Sequence, residues 1–425
     1  MKICIVGLGH IGLPTAAMFA QAGLEVVGYD TDPAVRRNIR MGCGAASDEQ
    51  VRALVAGALK TGRFKIIDAL ESADAFIICV PTPTAERKPD LRYIMQSTTA
   101  IAPLLRDGDL IVLESTVPPG TTERVIAGAV SQSGRNPDTV RIVHAPERVI
   151  PGRIVTELKL NARIIGGRRA GDAEAAAQLY ASFVRGQIHL TDCRTAELVK
   201  VIENTYRDVN IAYANELALL AEELGVDAWE AIRLANNHPR VNIMSPGPGV
   251  GGHCIPVDPH FLSNANPFVT ELIQTARRIN ERMPHIVVRR VEELLGSGTR
   301  AKIALFGVAY KANVDDTRES PAAVVCALLE ERGHSVAVCD PVATHFARPL
   351  VSVAAALEGA SVFVLLTDHD VFRTLSPEEC GRRMESRVLL DCRNFLDEDA
   401  WRAAGFDINT LGRGRIEEIA DVSAA

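Results

Sequence analysis

Three groups of residues in this chain have the types and spacing that chemistry needs. Gly7-Leu8-Gly9-His10-Ile11-Gly12 is GxGxxG, placed directly after an apolar run and before a helical stretch. The first glycine allows a tight turn, the second lets the backbone approach a pyrophosphate, and the third lets helix and strand pack closely. Asp30 follows 23 positions after Gly7, at the end of the next apolar run. A carboxylate there accepts from ribose hydroxyls and repels a 2′-phosphate, which favours NAD over NADP. Arg36 and Arg37 nearby are candidates to soften that preference, or simply solvated helix residues. The bland reading of the whole motif is a glycine turn used for packing.

The second group is Lys200, Asn204 and Arg207, at i, i+4 and i+7 on one helical face. That face is a reasonable wall for a phosphorylated, hydroxyl-rich ligand, or else a solvated polar stripe. The third is Cys254, which closes the glycine-rich run SPGPGVGGHC (245–254), with Asp258 four residues on. A loop cysteine near cations is a candidate thiolate nucleophile, although an isolated one is more often inert.

The elements that must position these groups follow from hydrophobic patterning. KICIVG (2–7), EVVGYD (25–30), AFIICV (75–80), DLIVLEST (109–116) and RIVHAP (141–146) are continuous apolar runs. Such runs suit a parallel sheet covered on both faces. Residues 195–224 form one long helical pattern that Gly225 ends, and Asp227 with Glu230 caps a second helix. A second α/β pattern begins at Lys302, with strands at 303–308, 335–340, 361–366 and 387–392. The expected architecture is two Rossmann-like, doubly wound parallel-sheet domains joined by a helical middle. Its boundaries are 1–192, 193–298 and 299–425, with a ligand cleft expected between the outer two.

At 425 residues the chain is long for a single core. Its net charge of −7 argues against a nucleic-acid binder, so anionic ligands must be met by local cations or backbone N–H groups. No apolar run is long enough for a membrane span and no leader pattern is present, which places the expected protein in the cytoplasm. Nine cysteines without a Cys-x-x-Cys pair argue against a disulfide framework or structural zinc, and no metal is expected. Cys4, Cys79, Cys339 and Cys392 read as small core residues, whereas Cys254 does not fit that reading.

Taken in order, GxGxxG, PTPT (81–84), ESTVPPGTTE (114–123), APERVIPG, AELVKVIENTYRDVNIAYANEL (196–217), GPGVGGHCIPVDP (247–259) and GVAYKANVDDTRESP resemble the UDP-glucose/GDP-mannose dehydrogenase family over essentially the whole chain. RLANNHPRVNIMSPGPGVGGHC, NTYRDVNIAYANEL and PERVIPGRIVTEL most resemble its UDP-N-acetyl-D-mannosamine branch. The resemblance implies an NAD-dependent four-electron oxidation of a sugar C6 alcohol to a carboxylate, with the aldehyde level kept on the enzyme. It assigns Cys254 as the nucleophile that carries a thiohemiacetal and then a thioester. Lys200 is placed near the reacting oxygen and Asn204 on the sugar. Asp258 is an acid acting through water, Glu147 the group that activates water for thioester hydrolysis, and Thr116 lies near the nicotinamide.

The resemblance further implies that Gly7, Gly9, His10, Ile11, Gly12, Asp30, Thr82, Thr116 and Arg318 serve the cofactor. Tyr310 and Lys311 would contact UDP. Arg148, Val149, Arg207, His238, Arg240 and Gly251 would contact the substrate. Arg393 is carried over as a late basic residue beside it, with a plain surface arginine as the other reading. Two positions depart from the family pattern: His10 stands where Tyr is common, and His144 where Cys is more usual. A homodimer built on the long helix is also implied; the apolar face around Ile211, Leu217, Leu220 and Ala221 would allow it, and would serve equally well as a core-facing surface. Two other readings compete: a single-step β-hydroxyacid dehydrogenase, which predicts neither a nucleophilic cysteine nor a second nucleotide domain, and a non-catalytic nucleotide-sugar sensor. Within the family, UDP-N-acetylglucosamine and UDP-glucose are the rival substrates.

Overall fold

The computed structural model describes residues 1–42, 48–85, 87–150, 152–296 and 298–414; Pro151 of the APERVIPG run lies outside them. The chain folds as two compact units, one of residues 1–203 with 260–267, the other of residues 204–259 with 268 onward.

The first unit is built on an eight-stranded sheet. In chain order its strands are β1 (Lys2–Val6), β2 (Glu25–Tyr29), β3 (Phe64–Ile66), β4 (Ala75–Ile78), β7 (Leu110–Leu113), β8 (Arg141–His144), β9 (Arg163–Gly167) and β10 (Ile188–Asp192), β5 (Thr84–Ala85) and β6 (Lys88–Pro89) forming a separate short hairpin. The spatial order is β10-β9-β8-β7-β4-β1-β2-β3. Successive side chains of β1 go to opposite faces: Ile3 and Ile5 join one apolar cluster with Phe19, Phe64 and Tyr180, while Cys4 and Val6 join another with Phe76, Ile111 and Leu113. Burial on both faces is why these strands read as unbroken apolar runs.

The parallel-sheet expectation holds from β3 across to β8, and then changes. β9 runs antiparallel to β8, with Val143 opposite Gly167, and β10 is parallel to β9. Apolar patterning marks neither these two strands nor β3. β10 is an edge strand with no fully buried residue, and β9 ends in two glycines, so neither carries a strong apolar signature. Gly166 is needed there for close approach, since a Cβ would meet the Asp192 carbonyl at 2.3 Å.

The second unit holds a five-stranded parallel sheet in the order β12-β11-β13-β14-β15. Its strands are β11 (Lys302–Phe306), β12 (Ser335–Cys339), β13 (Val362–Leu365), β14 (Val388–Asp391) and β15 (Asp407–Thr410). The long helix is observed at Cys193–Glu223 and carries the chain from the first unit into the second. Asp227 caps the helix Ala228–Ala235 by accepting from Trp229 and Glu230 N–H groups. A further long helix, Glu271–Leu295, passes through Pro284. Its Arg277 and Asn280 both donate to the buried Asp208 carboxylate, at 2.6 and 2.8 Å, and so lock it to the first long helix.

Candidate active site

In the first unit, β1 delivers the chain to Gly7, whose φ of +94° is open only to glycine without strain. Asp30, at the end of β2, accepts from the Leu8 N–H at 2.8 Å and from the Asp32 N–H at 3.0 Å. It therefore pins the glycine turn and still has lone pairs for ribose hydroxyls. Around Gly9 a Cβ would meet nothing within 4 Å, whereas at Gly12 it would meet the Gly7 carbonyl at 1.9 Å. The second glycine thus faces open space where a pyrophosphate fits, and the third is a packing position. The helix Gly12–Gln21 begins there without a side-chain cap, as suits an anion at its N-terminus. Ile11 is half-buried and His10 exposed. Arg36 donates to the Asp30 carbonyl and pairs with Asp68 at 3.1 Å, so it is occupied.

Thr82 donates to the Thr116 carbonyl at 2.7 Å, which ties the PTPT loop to the end of β7. Glu147 follows β8. Its Oε1 lies 3.1 Å from the Lys200 ammonium and its Oε2 accepts from the Val149 N–H at 2.8 Å. Lys200 is positioned by its helix, and that helix is anchored one turn earlier. The buried Glu197 accepts from the Gly120 and Thr122 N–H groups of the ESTVPPGTTE loop. Arg148 is engaged by Glu203 and donates to the Ala162 carbonyl, while Val149 packs on the core.

In the second unit, Asn204 donates to the buried Asp258 carboxylate and accepts from Arg207. The Cys254 carbonyl accepts from the Asp258 N–H at 2.9 Å, so the cysteine sits one turn before the helix Asp258–Ala265. Among the described cysteines it alone is exposed. Burial pushes the thiols of Cys4, Cys193, Cys326 and Cys339 up to about 12, which leaves them inert. The glycines before Cys254 lie against Tyr310: a Cβ on Gly252 would be 2.9 Å from its ring and one on Gly251 2.8 Å from its Cβ. Gly252 N–H also donates to the Arg318 carbonyl at 3.2 Å. Tyr310 keeps its phenol proton, because burial and then the Asp316 and Cys254 charges push it up. Arg318 is held by Asp316 at 2.6 Å, and Lys311 is exposed.

Arg393 is half-buried, bonded to Asp368, and its guanidinium lies against Gly247 of the cysteine loop, where a Cβ would be 2.4 Å away. His238 and Arg240 are exposed neighbours in a turn that Asn210 tethers to the long helix through the Asn242 carbonyl and the Met244 N–H. At the end of β12, Asp340 takes the position Asp30 holds in the first unit. It already accepts from Val308, Ala309, Val342 and Ala343 N–H groups and from His369. Burial opposes its charge, yet these donors hold its carboxyl well below the usual range. This sheet is therefore not arranged to receive a ribose as the first one is.

His144 is fully buried at the end of β8, and neither ring nitrogen has a hydrogen-bond partner among the described residues. Burial, then the Arg163 and Lys200 charges, lowers its pKa to about 3. The unfolded chain binds a proton on this residue below about pH 6.5 while the folded chain does not. Its contribution to stability is therefore intact above that pH and declines as pH falls towards 3. Between pH 7 and pH 5 the loss is about 2 kcal/mol. Melting the unaltered protein and His144→Leu across that range should show a shallower acid slope in the variant; equal slopes would refute the assignment.

Three profiles of one family match along the chain. Residues 1–184 match the UDP-glucose/GDP-mannose dehydrogenase family, NAD binding domain; 194–282 its central domain; and 304–398 its UDP binding domain. The chain belongs to this family: it is an NAD-dependent nucleotide-sugar dehydrogenase. Among its relatives, the UDP-N-acetyl-D-mannosamine dehydrogenase of Methanocaldococcus jannaschii is 44% identical over 421 residues, 97% of each chain. An NDP-N-acetyl-D-galactosaminuronic acid dehydrogenase of Ralstonia nicotianae is 44% identical over 92% of this chain and 96% of its own. The solved UDP-D-ManNAc dehydrogenase of Pyrococcus horikoshii superposes with a TM-score of 0.92 at 42% identity, covering 98% of this chain and all of that one. A UDP-binding domain at 304–398 tells against the single-step β-hydroxyacid reading.

Among the described residues no helix is long and apolar enough to cross a membrane. Of the apolar face named on the long helix, three of the four residues suit the core-facing reading. Ala221 is buried and Ile211 and Leu217 are half-buried, while Leu198, Ile202, Tyr206, Tyr213 and Leu220 are exposed at helical spacing.

Proposed function

We propose that this protein oxidises the C6 alcohol of UDP-N-acetyl-D-mannosamine to the uronate, consuming two NAD per sugar. The observation that carries this reading is Cys254, the exposed cysteine in a glycine loop packed on Tyr310 of the UDP-binding domain. Bound NAD supplies the hydride acceptor. The chain's own residues do the rest. Cys254 sulfur adds to the aldehyde carbon, giving a thiohemiacetal, and after the second oxidation it holds the acyl group as a thioester. Water displaces the thiol and leaves the carboxylate. The Lys200 ammonium stabilises negative charge on the reacting oxygen. Asn204 orients the sugar, and Asp258 takes a proton through water in the first step. Glu147, held between Lys200 and the Val149 N–H, activates the hydrolytic water. Thr116 borders the nicotinamide, Thr82 contacts the cofactor, and Arg318 reaches the cofactor pyrophosphate.

Tyr310 and Lys311 hold UDP, while Arg148, Val149, Arg207, His238, Arg240, Gly251 and Arg393 bound the substrate. The three-part division at 193 and 299 separates cofactor, central and UDP-sugar regions. We read the exposed stripe through Tyr206 and Tyr213 as a homodimer surface, and the uronate as a precursor for polysaccharide synthesis in the cytoplasm.

The substrate rests on the relatives that carry this activity in their names. An equally similar relative is named for an N-acetylgalactosaminuronic acid, which favours N-acetylated hexoses over glucose and makes the galacto sugar the second reading. The test is NADH formed per nucleotide sugar at limiting sugar, for UDP-N-acetylmannosamine, UDP-N-acetylgalactosamine, UDP-N-acetylglucosamine and UDP-glucose. Two NADH from the first alone supports the proposal. Two from another keeps the mechanism and changes the substrate, and one or none from all of them overturns the reaction.

A further inference from the structure

The ESTVPPGTTE run contains an acid that the proposed chemistry does not use. Glu114 directly follows β7 and its side chain is completely buried, which is costly unless every lone pair is met. They are met from four elements of the first unit. Oε2 accepts from the Thr15 hydroxyl of the helix after the glycine turn and from the Cys79 thiol, both at 3.2 Å. Oε1 accepts from the Tyr180 hydroxyl at 2.6 Å and from the Arg163 guanidinium. Arg163, itself almost wholly buried, lies over the Tyr180 ring with its guanidinium carbon 4.1 Å from the centroid. The same terminal nitrogen donates to the Ala145 carbonyl at 2.8 Å.

Both ends of this network reach functional turns. Cys79 lies directly under the glycine motif: a Cβ on Gly12 would be 3.0 Å from the Cys79 Cβ, and one on Gly7 2.7 Å from its carbonyl. Ala145 is two residues before Glu147, and only Pro146 intervenes. A single buried ion pair thus fixes the cofactor turn and the Glu147 turn with respect to each other. Burial and then the Glu114 charge push the Cys79 thiol well up, so it remains a donor.

We propose that Glu114 and Arg163 are positioning residues for the last step, setting the Pro146–Glu147 turn at the height from which Glu147 activates water. This rests on the reading of Glu147 given above. The pair touches no substrate. Its loss lets the Ala145 carbonyl move and with it Glu147, while Cys254 belongs to the other unit. Hydrolysis adds water across the acyl–sulfur bond, returns the thiol and releases the carboxylate with a proton; no redox step is involved. The effect therefore falls after both NADH have formed.

Arg163→Lys keeps the charge but has a shorter side chain, which withdraws the nitrogen that serves both Glu114 and Ala145, and it loses the guanidinium over the Tyr180 ring. Stopped-flow at excess sugar and NAD should show two NADH per active site formed at a rate within twofold of the unaltered protein. The steady state that follows should be slowed tenfold or more. Tyr180→Phe removes one hydrogen bond and keeps the ring under the guanidinium, so it serves as the milder variant, with the steady state slowed twofold to fivefold. Loss of steady-state rate matched by an equal loss in the burst, in both variants, would overturn the proposal, as would an unchanged steady state. Glu147→Gln separates the two ideas: it should form two NADH and then stall, and if it turns over normally the role given to Glu147 fails instead.

Discussion

Replacing Cys254 by serine should abolish uronate formation while leaving the fold and both ligand sites in place. The cysteine is exposed and its side chain supports no core, so the melting temperature should stay within about 2 °C, as for surface substitutions in general. The catalytic loss should be on the order of 10³-fold or more, because a serine hydroxyl is a far weaker nucleophile without an adjacent base. No other described cysteine can substitute, since the rest are buried or half-buried, and burial raises the Cys79 and Cys392 thiols well above the ordinary range. Calorimetric binding of NAD and of UDP should be unaltered, and mass spectrometry of the quenched reaction should find no acyl adduct on the variant. Uronate made by Cys254→Ser at the normal rate would end the covalent mechanism.

Much of this site is legible in the amino-acid sequence. The glycine motif, Asp30 and the Lys200-Asn204-Arg207 face depend on local geometry, a strand–turn–helix and the 3.6-residue period, which sequence spacing encodes directly. The long helix matches its expected span to within two residues at its start and one at its end. What spacing does not encode is contact made across the chain. Nothing near Glu114 announces Arg163, 49 positions away, or Tyr180, 66 away. The available signal is an acid closing an otherwise apolar strand, a residue that must be paired if buried. Likewise Glu197, one turn before Lys200, reads as an ordinary helix glutamate until its two backbone donors are seen.

Periodicity leaves the apolar face of the long helix open between a dimer surface and a core-facing one for a related reason. A helix packed on several sides carries apolar residues all round, so its period alone does not say which side remains open. Leu220 is on the exposed face, and Ala221, one residue on, is buried. The reversal at β9 has no signature of its own, because strand direction depends on the connection through the helix Ile154–Leu160 and not on the strand's composition.

The glycine motif gives the other large effect, and it separates two roles that the motif itself merges. Gly12→Ala would place a methyl 1.9 Å from the Gly7 carbonyl and 3.0 Å from the Cys79 side chain. Backbone cannot yield at that distance as a flexible side chain can, so the helix and the turn must part, at about 3 kcal/mol or more. If the first unit, of roughly 200 residues, melts on its own, that lowers its melting temperature by roughly 5 to 10 °C, and NAD affinity falls with it because the turn is the cradle. Gly9→Ala meets no protein atom within 4 Å, so its stability should be unchanged. The methyl instead occupies the space a pyrophosphate needs, and NAD affinity should fall at least tenfold, about 1.4 kcal/mol. Thermal melts without ligand and fluorescence titration with NAD read the two effects separately. If Gly9→Ala melts early, or Gly12→Ala melts with the unaltered protein, then the open face of the turn is not where the cofactor phosphates lie, and the second and third glycines do not divide packing from binding.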